Sequence, residues 1–212
     1  MKQYYILSIS GSGSMFVTSL FAQYLGTPDQ PRISADGNCH NQGQGEWQAT
    51  DLIELIGNYW QDRRYRKPLL YSHETDLARV RRALPAVHVV LIDYRAEDAE
   101  RIARQRTVKA HHLEWTPEEY AKLAGADWPA YSPNNILESQ LIQDELTELR
   151  RQYTVQWLDQ IDRGLVDSTI DYQTVMTGPI NQRVADIVGQ PARPELEAFV
   201  EQYQTLNRRL YG

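Results

Sequence analysis

The chain has 212 residues, 42% of them hydrophobic and 24% charged, with 22 Lys and Arg against 28 Asp and Glu for a formal charge of −6. That composition supplies a sizeable core and excludes compositional disorder. The acidic balance argues against generic binding to a nucleic-acid backbone and leaves only a local basic groove open. The single cysteine, Cys39, excludes an intramolecular disulfide.

Tyr4 to Ile9 is an apolar run that predicts a buried strand. Ser10-Gly11-Ser12-Gly13-Ser14 is a turn of glycine and serine only. Met15 to Leu25 then carries Val17, Leu20, Phe21, Tyr24 and Leu25 at helical spacing. A small-residue turn between a strand and a helix lets consecutive backbone N–H groups converge, and the positive end of the helix dipole adds to that anion site. A Walker A loop would continue Gly-Lys-Ser/Thr, whereas Ser14 follows Gly13 and no lysine stands between Lys2 and Lys67. Close packing of helix on strand is the alternative reason for the glycines.

Gly26-Thr27-Pro28-Asp29-Gln30-Pro31 breaks the chain. Residues 33–45 read as a polar, glycine-rich loop, either a surface excursion or a segment facing a substrate. Cys39 and His40 have no second Cys/His pair at zinc spacing. Trp47 to Trp60 reads as a helix, and Arg63-Arg64-Tyr65-Arg66-Lys67 as a solvated helix end or a cationic rim over an anionic substrate. Leu69-Leu70-Tyr71 predicts a short strand leading to Ser72-His73, and Leu77, Val80, Arg81 and Leu84 mark the next helix. Val87-His88-Val89-Val90-Leu91-Ile92 is the run expected in the middle of a parallel sheet. It gives way at Asp93-Tyr94-Arg95 to a charged helix from Glu97 to Lys109.

The remainder reads as mostly helical. Thr116 caps a helix that starts at Pro117, and Ile142, Leu146, Leu149, Tyr153 and Trp157 form an amphipathic stripe. Asp167 to Asp171 fits a short strand, Ile180 to Val188 a helix stopped by Gly189, and Leu196 to Leu210 the last helix. Alternating strands and helices predict an α/β fold of three layers, a parallel sheet flanked by helices, with a helical C-terminal half. A single domain spans 1–212, with 1–110 as the sheet core and 111–212 as its mainly helical completion. Ligands bind such sheets beyond the carboxyl ends of the strands, so the Gly/Ser turn, Ser72-His73 and Tyr94-Arg95 should converge there. The N-terminal apolar run is too short for a signal-peptide core and no segment has the roughly 18 apolar residues of a membrane span, so a cytoplasmic protein is expected.

With these pieces placed, the chain resembles the sulfotransferase branch of the P-loop superfamily, particularly its small, divergent members in bacteria and their phages. Ser12-Gly13-Ser14 matches the Ser-Gly-Thr core of the loop that cradles the donor's 5′-phosphosulfate. Tyr71-Ser72-His73 resembles the Lys-Thr-His at the end of a short strand, whose histidine is the general base. Val89 to Arg95 resembles the strand ending in the arginine that grips the donor's 3′-phosphate. Thr169-Ile170-Asp171-Tyr172, Gly178-Pro179 and the last two helices are similar to a structural segment of the family.

The resemblance implies transfer of a sulfuryl group from 3′-phosphoadenosine-5′-phosphosulfate to an unidentified hydroxyl or amine, on a small molecule or a macromolecule. His73 would take the acceptor's proton. Ser10, Gly11, Ser12, Gly13 and Ser14 would hold the bridging phosphate and sulfuryl oxygens, and Arg95 the 3′-phosphate. Arg95 has an ion pair with Glu97 or Asp98 as its alternative role, and His73 a strand-end hydrogen bond. No carboxylate pair is evident after a strand, and no metal is expected. Gly11, Tyr71 and Ala103 replace the family's loop cation, its lysine before the Thr-His pair and its downstream serine, and the late donor-binding loop has no counterpart. These replacements leave two further readings open. One is a catalytically degenerate structural or interaction module, as in a virion or host-binding complex, with a protein partner or as a homo-oligomer. The other is a divergent nucleotide or nucleoside kinase, disfavoured by the missing loop lysine.

Overall fold

The computed structural model describes residues 2–8, 11–26, 31–34, 37, 39–41, 69–72, 77–95, 97–103, 105, 143–144, 146–149, 151, 161 and 164–211. The helices expected at 47–60 and from 117, the basic run 63–67, Ser10 and His73 lie outside them.

Strand β1 (Tyr4–Leu7) is buried along its whole length. Helix α1 (Ser14–Tyr24) follows, then the antiparallel hairpin of β2 (Pro31–Ile33) and β3 (Cys39–Asn41). The chain continues through β4 (Leu69–Ser72), α2 (Leu77–Ala83), β5 (His88–Asp93) and β6 (Ser168–Asp171). Helix α3 (Tyr172–Met176), α4 (Ile180–Val188), a 3₁₀ turn at Pro194–Leu196 and α5 (Glu197–Tyr211) complete it.

Four strands pair side by side in the order β4-β1-β5-β6, and every pairing is parallel. The fold is therefore α/β with a parallel sheet. Successive residues of a strand point to opposite faces, and in β1 and at Val89 to Ile92 both sets are buried. Helix α1 lies on β1 and β4 and is itself covered by β3 and α4. Among the described residues no helix is long and apolar enough to cross a membrane.

The hairpin corrects the reading of residues 33–45 as loop throughout. Pro31 starts an edge strand, where a missing N–H is tolerated, and Gly37 (φ 74°) turns the chain back toward Cys39. The Cys39 thiol packs against α1, 3.3 Å from Ser19 Oγ, and burial pushes its pKa up to about 11, so it behaves as a small core residue. Asn207 of α5 is buried and donates to the Gly37 carbonyl at 3.0 Å, tying the hairpin to the last helix.

Two polar knots hold the layers in register. At the amino edge of the sheet, Arg81 of α2 donates to the Leu165 and Val87 carbonyls, each at 2.9 Å, and to Asp167 Oδ2 at 2.7 Å. The same Asp167 oxygen accepts from the Val89 amide at 2.7 Å, which fixes where β6 enters beside β5. Burial pushes the Asp167 carboxyl up, but the donors Arg81 and Val89 outweigh it and leave it below its ordinary pKa. His88 Nε2 lies 2.9 Å from Ser168 Oγ, and burial, with help from Lys2, lowers the His88 pKa.

The second knot joins α1 to α4 and α5. The Tyr24 hydroxyl donates to Asn181 Oδ1 at 2.5 Å and accepts from the Arg193 amide at 3.0 Å. Asn181 Nδ2 donates to the Arg193 carbonyl and to Glu197 Oε1. Removing one member of such a buried network leaves the others short of partners. Asn181→Ala is expected to destabilise the fold by about 2–3 kcal/mol in urea unfolding.

Candidate functional site

Strand order decides where a site belongs. The chain leaves β1 toward β4 on one side and leaves β5 toward β6 on the other. Adjacent strands whose connections depart in opposite directions open a crevice between their carboxyl ends, and ligands bind parallel α/β sheets there. The crevice lies between the turn after Leu7 and the residues after Ile92. The expectation that the Gly/Ser turn and Tyr94-Arg95 share one sheet edge agrees with this topology. Ser72 ends the neighbouring strand β4 on the same edge.

The turn has two glycines in the left-handed region, Gly11 (φ 86°) and Gly13 (φ 83°). Gly13 caps α1 without a side-chain hydrogen bond, and Ser14 opens the helix. A Cβ on Gly13 would stand 2.9 Å from both the Tyr203 hydroxyl and Val175 Cγ1. The ring of Tyr203 stacks on Phe16 at 3.8 Å, nearly parallel, so α5 presses directly onto the start of α1. Ser12 and Ser14 are buried, and Gly11 is partly exposed. Close packing therefore accounts for glycine at position 13, and the positive end of the α1 dipole lies at this turn.

On the other side of the crevice the charges are mixed. Arg95 has a largely exposed side chain with Nε 3.4 Å from Asp171 Oδ2 and Nη1 4.0 Å from Glu97 Oε1. Its backbone amide donates to Asp98 Oδ2 at 2.8 Å. Of its two expected partners, Glu97 takes the guanidinium and Asp98 takes the amide. Asp171 adds a third carboxylate from a different strand. Asp98 is buried and also accepts from the Gln173 side chain.

Asp171 is the ladder partner of Asp93, so two carboxylates end adjacent strands at one level. Sequence reasoning did not find this pair. The available signal was a repeated tripeptide, Ile92-Asp93-Tyr94 and Ile170-Asp171-Tyr172. Asp171 caps α3 by accepting from the Gln173 amide at 2.7 Å. Asp93 is partly buried, and its carboxyl is pushed up to about 6, first by burial and then by the Asp171 charge. Among the described residues no cluster of His, Cys, Asp and Glu could hold a metal ion.

Two consequences are measurable. In the folded chain Asp93 titrates near 6 against an ordinary 3.8. Its proton therefore contributes stability that is complete below about pH 4 and is lost as pH rises through about 6. Asp93→Asn should stabilise the fold by about 1–2 kcal/mol at pH near 7.5, after discounting for solvent around a partly exposed group, and leave it unchanged near pH 3.5. Gly13→Ala places a Cβ into Tyr203 and Val175 at a positive φ, and thermal unfolding should show a loss of about 2–4 kcal/mol. Comparisons with protein-family models, with curated proteins and with solved structures return no match, so the arrangement of the strand ends alone carries the functional reading.

Proposed function

We propose that the chain is a sulfotransferase-like protein that transfers a sulfuryl group from 3′-phosphoadenosine-5′-phosphosulfate to a hydroxyl or amine acceptor. The observation that carries the reading is the Gly/Ser turn from β1 into α1 at the crevice between β1 and β5. Amides at a helix N-terminus and the helix dipole bind phosphosulfate oxygens without a metal. Arg95 stands at the end of β5, the other side of that crevice, where a guanidinium can grip a second phosphate. His73, one residue beyond β4, would accept the acceptor's proton as its oxygen or nitrogen attacks sulfur, with the bisphosphate nucleotide as leaving group.

A non-catalytic reading has its own observation. Arg95 is already flanked by Asp171 and Glu97, Ser12 and Ser14 are buried, and Tyr203 of α5 packs against Gly13. A P-loop-like fold kept for assembly would tolerate both.

Differential scanning fluorimetry separates the two. At about 100 times its dissociation constant a ligand stabilises the folded state by roughly 2.7 kcal/mol. The sulfotransferase reading expects stabilisation by 3′-phosphoadenosine-5′-phosphosulfate and by adenosine 3′,5′-bisphosphate, weakened in Arg95→Ala. It also expects sulfuryl transfer to be abolished in His73→Ala while the bisphosphate still binds. Indifference to both nucleotides would leave the non-catalytic module.

A further inference from the structure

The amino rim of the sheet, at the opposite end of the strands from the crevice, brings together a serine, a histidine and a carboxylate. Ser168 pairs with Val90 in the β5–β6 ladder. His88, two residues before Val90, shares the same face of the sheet, and its Nε2 lies 2.9 Å from Ser168 Oγ. Nδ1 of the same ring is 3.9 Å from Asp167 Oδ2. None of the three is fully buried: the side chains of His88 and Asp167 are 16% and 36% exposed, and Ser168 is partly exposed on the outermost described strand.

The charges around the ring assign its protons. Burial raises the Asp167 carboxyl, but its donors Arg81 and Val89 outweigh that, so it is an anion at neutral pH. Its charge favours the imidazole proton on Nδ1, the nitrogen nearer to it. Nε2 is then an acceptor, and the Ser168 hydroxyl donates to it. Burial, followed by the charges of Lys2 and Arg81, lowers the His88 pKa, and Asp167 alone opposes them. The ring is therefore neutral at pH 7 and ready to take a proton. The Tyr4 ring packs edge-on against it at 5.4 Å and helps to fix its orientation. A hydroxyl bonded to a base that a third group orients is the general arrangement of an activated nucleophile.

We propose that Ser168 is a nucleophile activated by His88 and accepts the acyl group of a carboxylic ester at the amino rim. Ser168 Oγ bonds to the carbonyl carbon as its proton passes to His88 Nε2. The bond from that carbon to the alcohol oxygen breaks, and the proton leaves with the alcohol. Water then attacks the acyl-serine, its proton returns through His88 to Ser168 Oγ, and the carboxylic acid departs. Lys2 is exposed, with its ammonium 5.2 Å from the centroid of the Tyr4 ring, and supplies a cation at this rim for the developing oxyanion. The site shares no residue with the Gly/Ser turn or Arg95, so it is independent of sulfuryl transfer.

Treatment of the full chain with a fluorophosphonate, followed by peptide mass spectrometry, tests the proposal, because this reagent phosphonylates activated serines with loss of fluoride. Ser168 is expected to carry the label, and hydrolysis of p-nitrophenyl butyrate is expected to disappear in Ser168→Ala. His88→Gln should slow labelling at least about a hundredfold. The labelling rate of the unsubstituted chain should rise with pH through a midpoint below the ordinary 6.5 of histidine. Asp167→Asn keeps an oxygen for Arg81 and Val89 and should move that midpoint further down, since the Asp167 charge raises it. If His88→Gln fails to fold, the pH profile of the unsubstituted chain carries the test of the base. An unlabelled Ser168, labelling of Ser168 no faster than of other serines, or an undiminished rate in folded His88→Gln overturns the proposal. A midpoint unmoved by Asp167→Asn overturns the part given to Asp167.

Discussion

Strands β1 and β5 bury side chains on both of their faces, and that single requirement dictates most of the molecule. A parallel sheet buried on both faces must be covered by helices on both sides, and its polar chemistry is confined to the two rims. At the amino rim, Arg81, Asp167 and the Val89 amide satisfy one another and close the edge. The carboxyl rim carries the other polar groups: the N-terminus of α1 after β1, and Asp93, Arg95 and Asp171 at the ends of β5 and β6.

What the sequence disclosed follows the strength of its local signals. Continuous apolar runs at Tyr4–Leu7 and Val89–Ile92 announced buried strands, and Gly189, left-handed at φ 76°, announced the end of α4. The hairpin of β2 and β3 was illegible because each strand is three residues long in a polar, glycine-rich stretch. Its stability comes from Cys39 packing on α1 and Asn207 reaching Gly37, contacts that no local window contains. The site shows the same division. The turn and Arg95 stand at strand ends that a pattern can find. The pairing of Asp93 with Asp171 depends on ladder register between segments far apart in the chain, and only the repeated Ile-Asp-Tyr hinted at it. Ser10 and His73 lie outside the described residues, so the expected general base rests on sequence.

The two halves of the carboxyl rim differ in electrostatic character. The α1 side offers amide donors and a positive dipole end, with no acid in the first helical turn. The β5–β6 side offers carboxylates interleaved with Arg95 and Arg101, so its field partly cancels and its hydrogen-bonding pattern matters more than its charge. A ligand that spans the crevice would be held by charge at one end and by geometry at the other. The cations that the turn lacks are therefore not simply relocated to the neighbouring strand end, where Arg95 is already matched by Asp171 and Glu97.

The contact of Gly13 with Tyr203 has a consequence for how the protein is made. The turn precedes most of the described sequence, yet its inner wall is Val175 and Tyr203, which are synthesised long after it. The Gly37–Asn207 bond, across 170 residues, has the same character. Local helices and hairpins can form as they are synthesised, but contacts of such sequence separation cannot. The turn thus acquires this wall only when α5 docks, and a nascent chain interrupted before α5 would carry the turn without it.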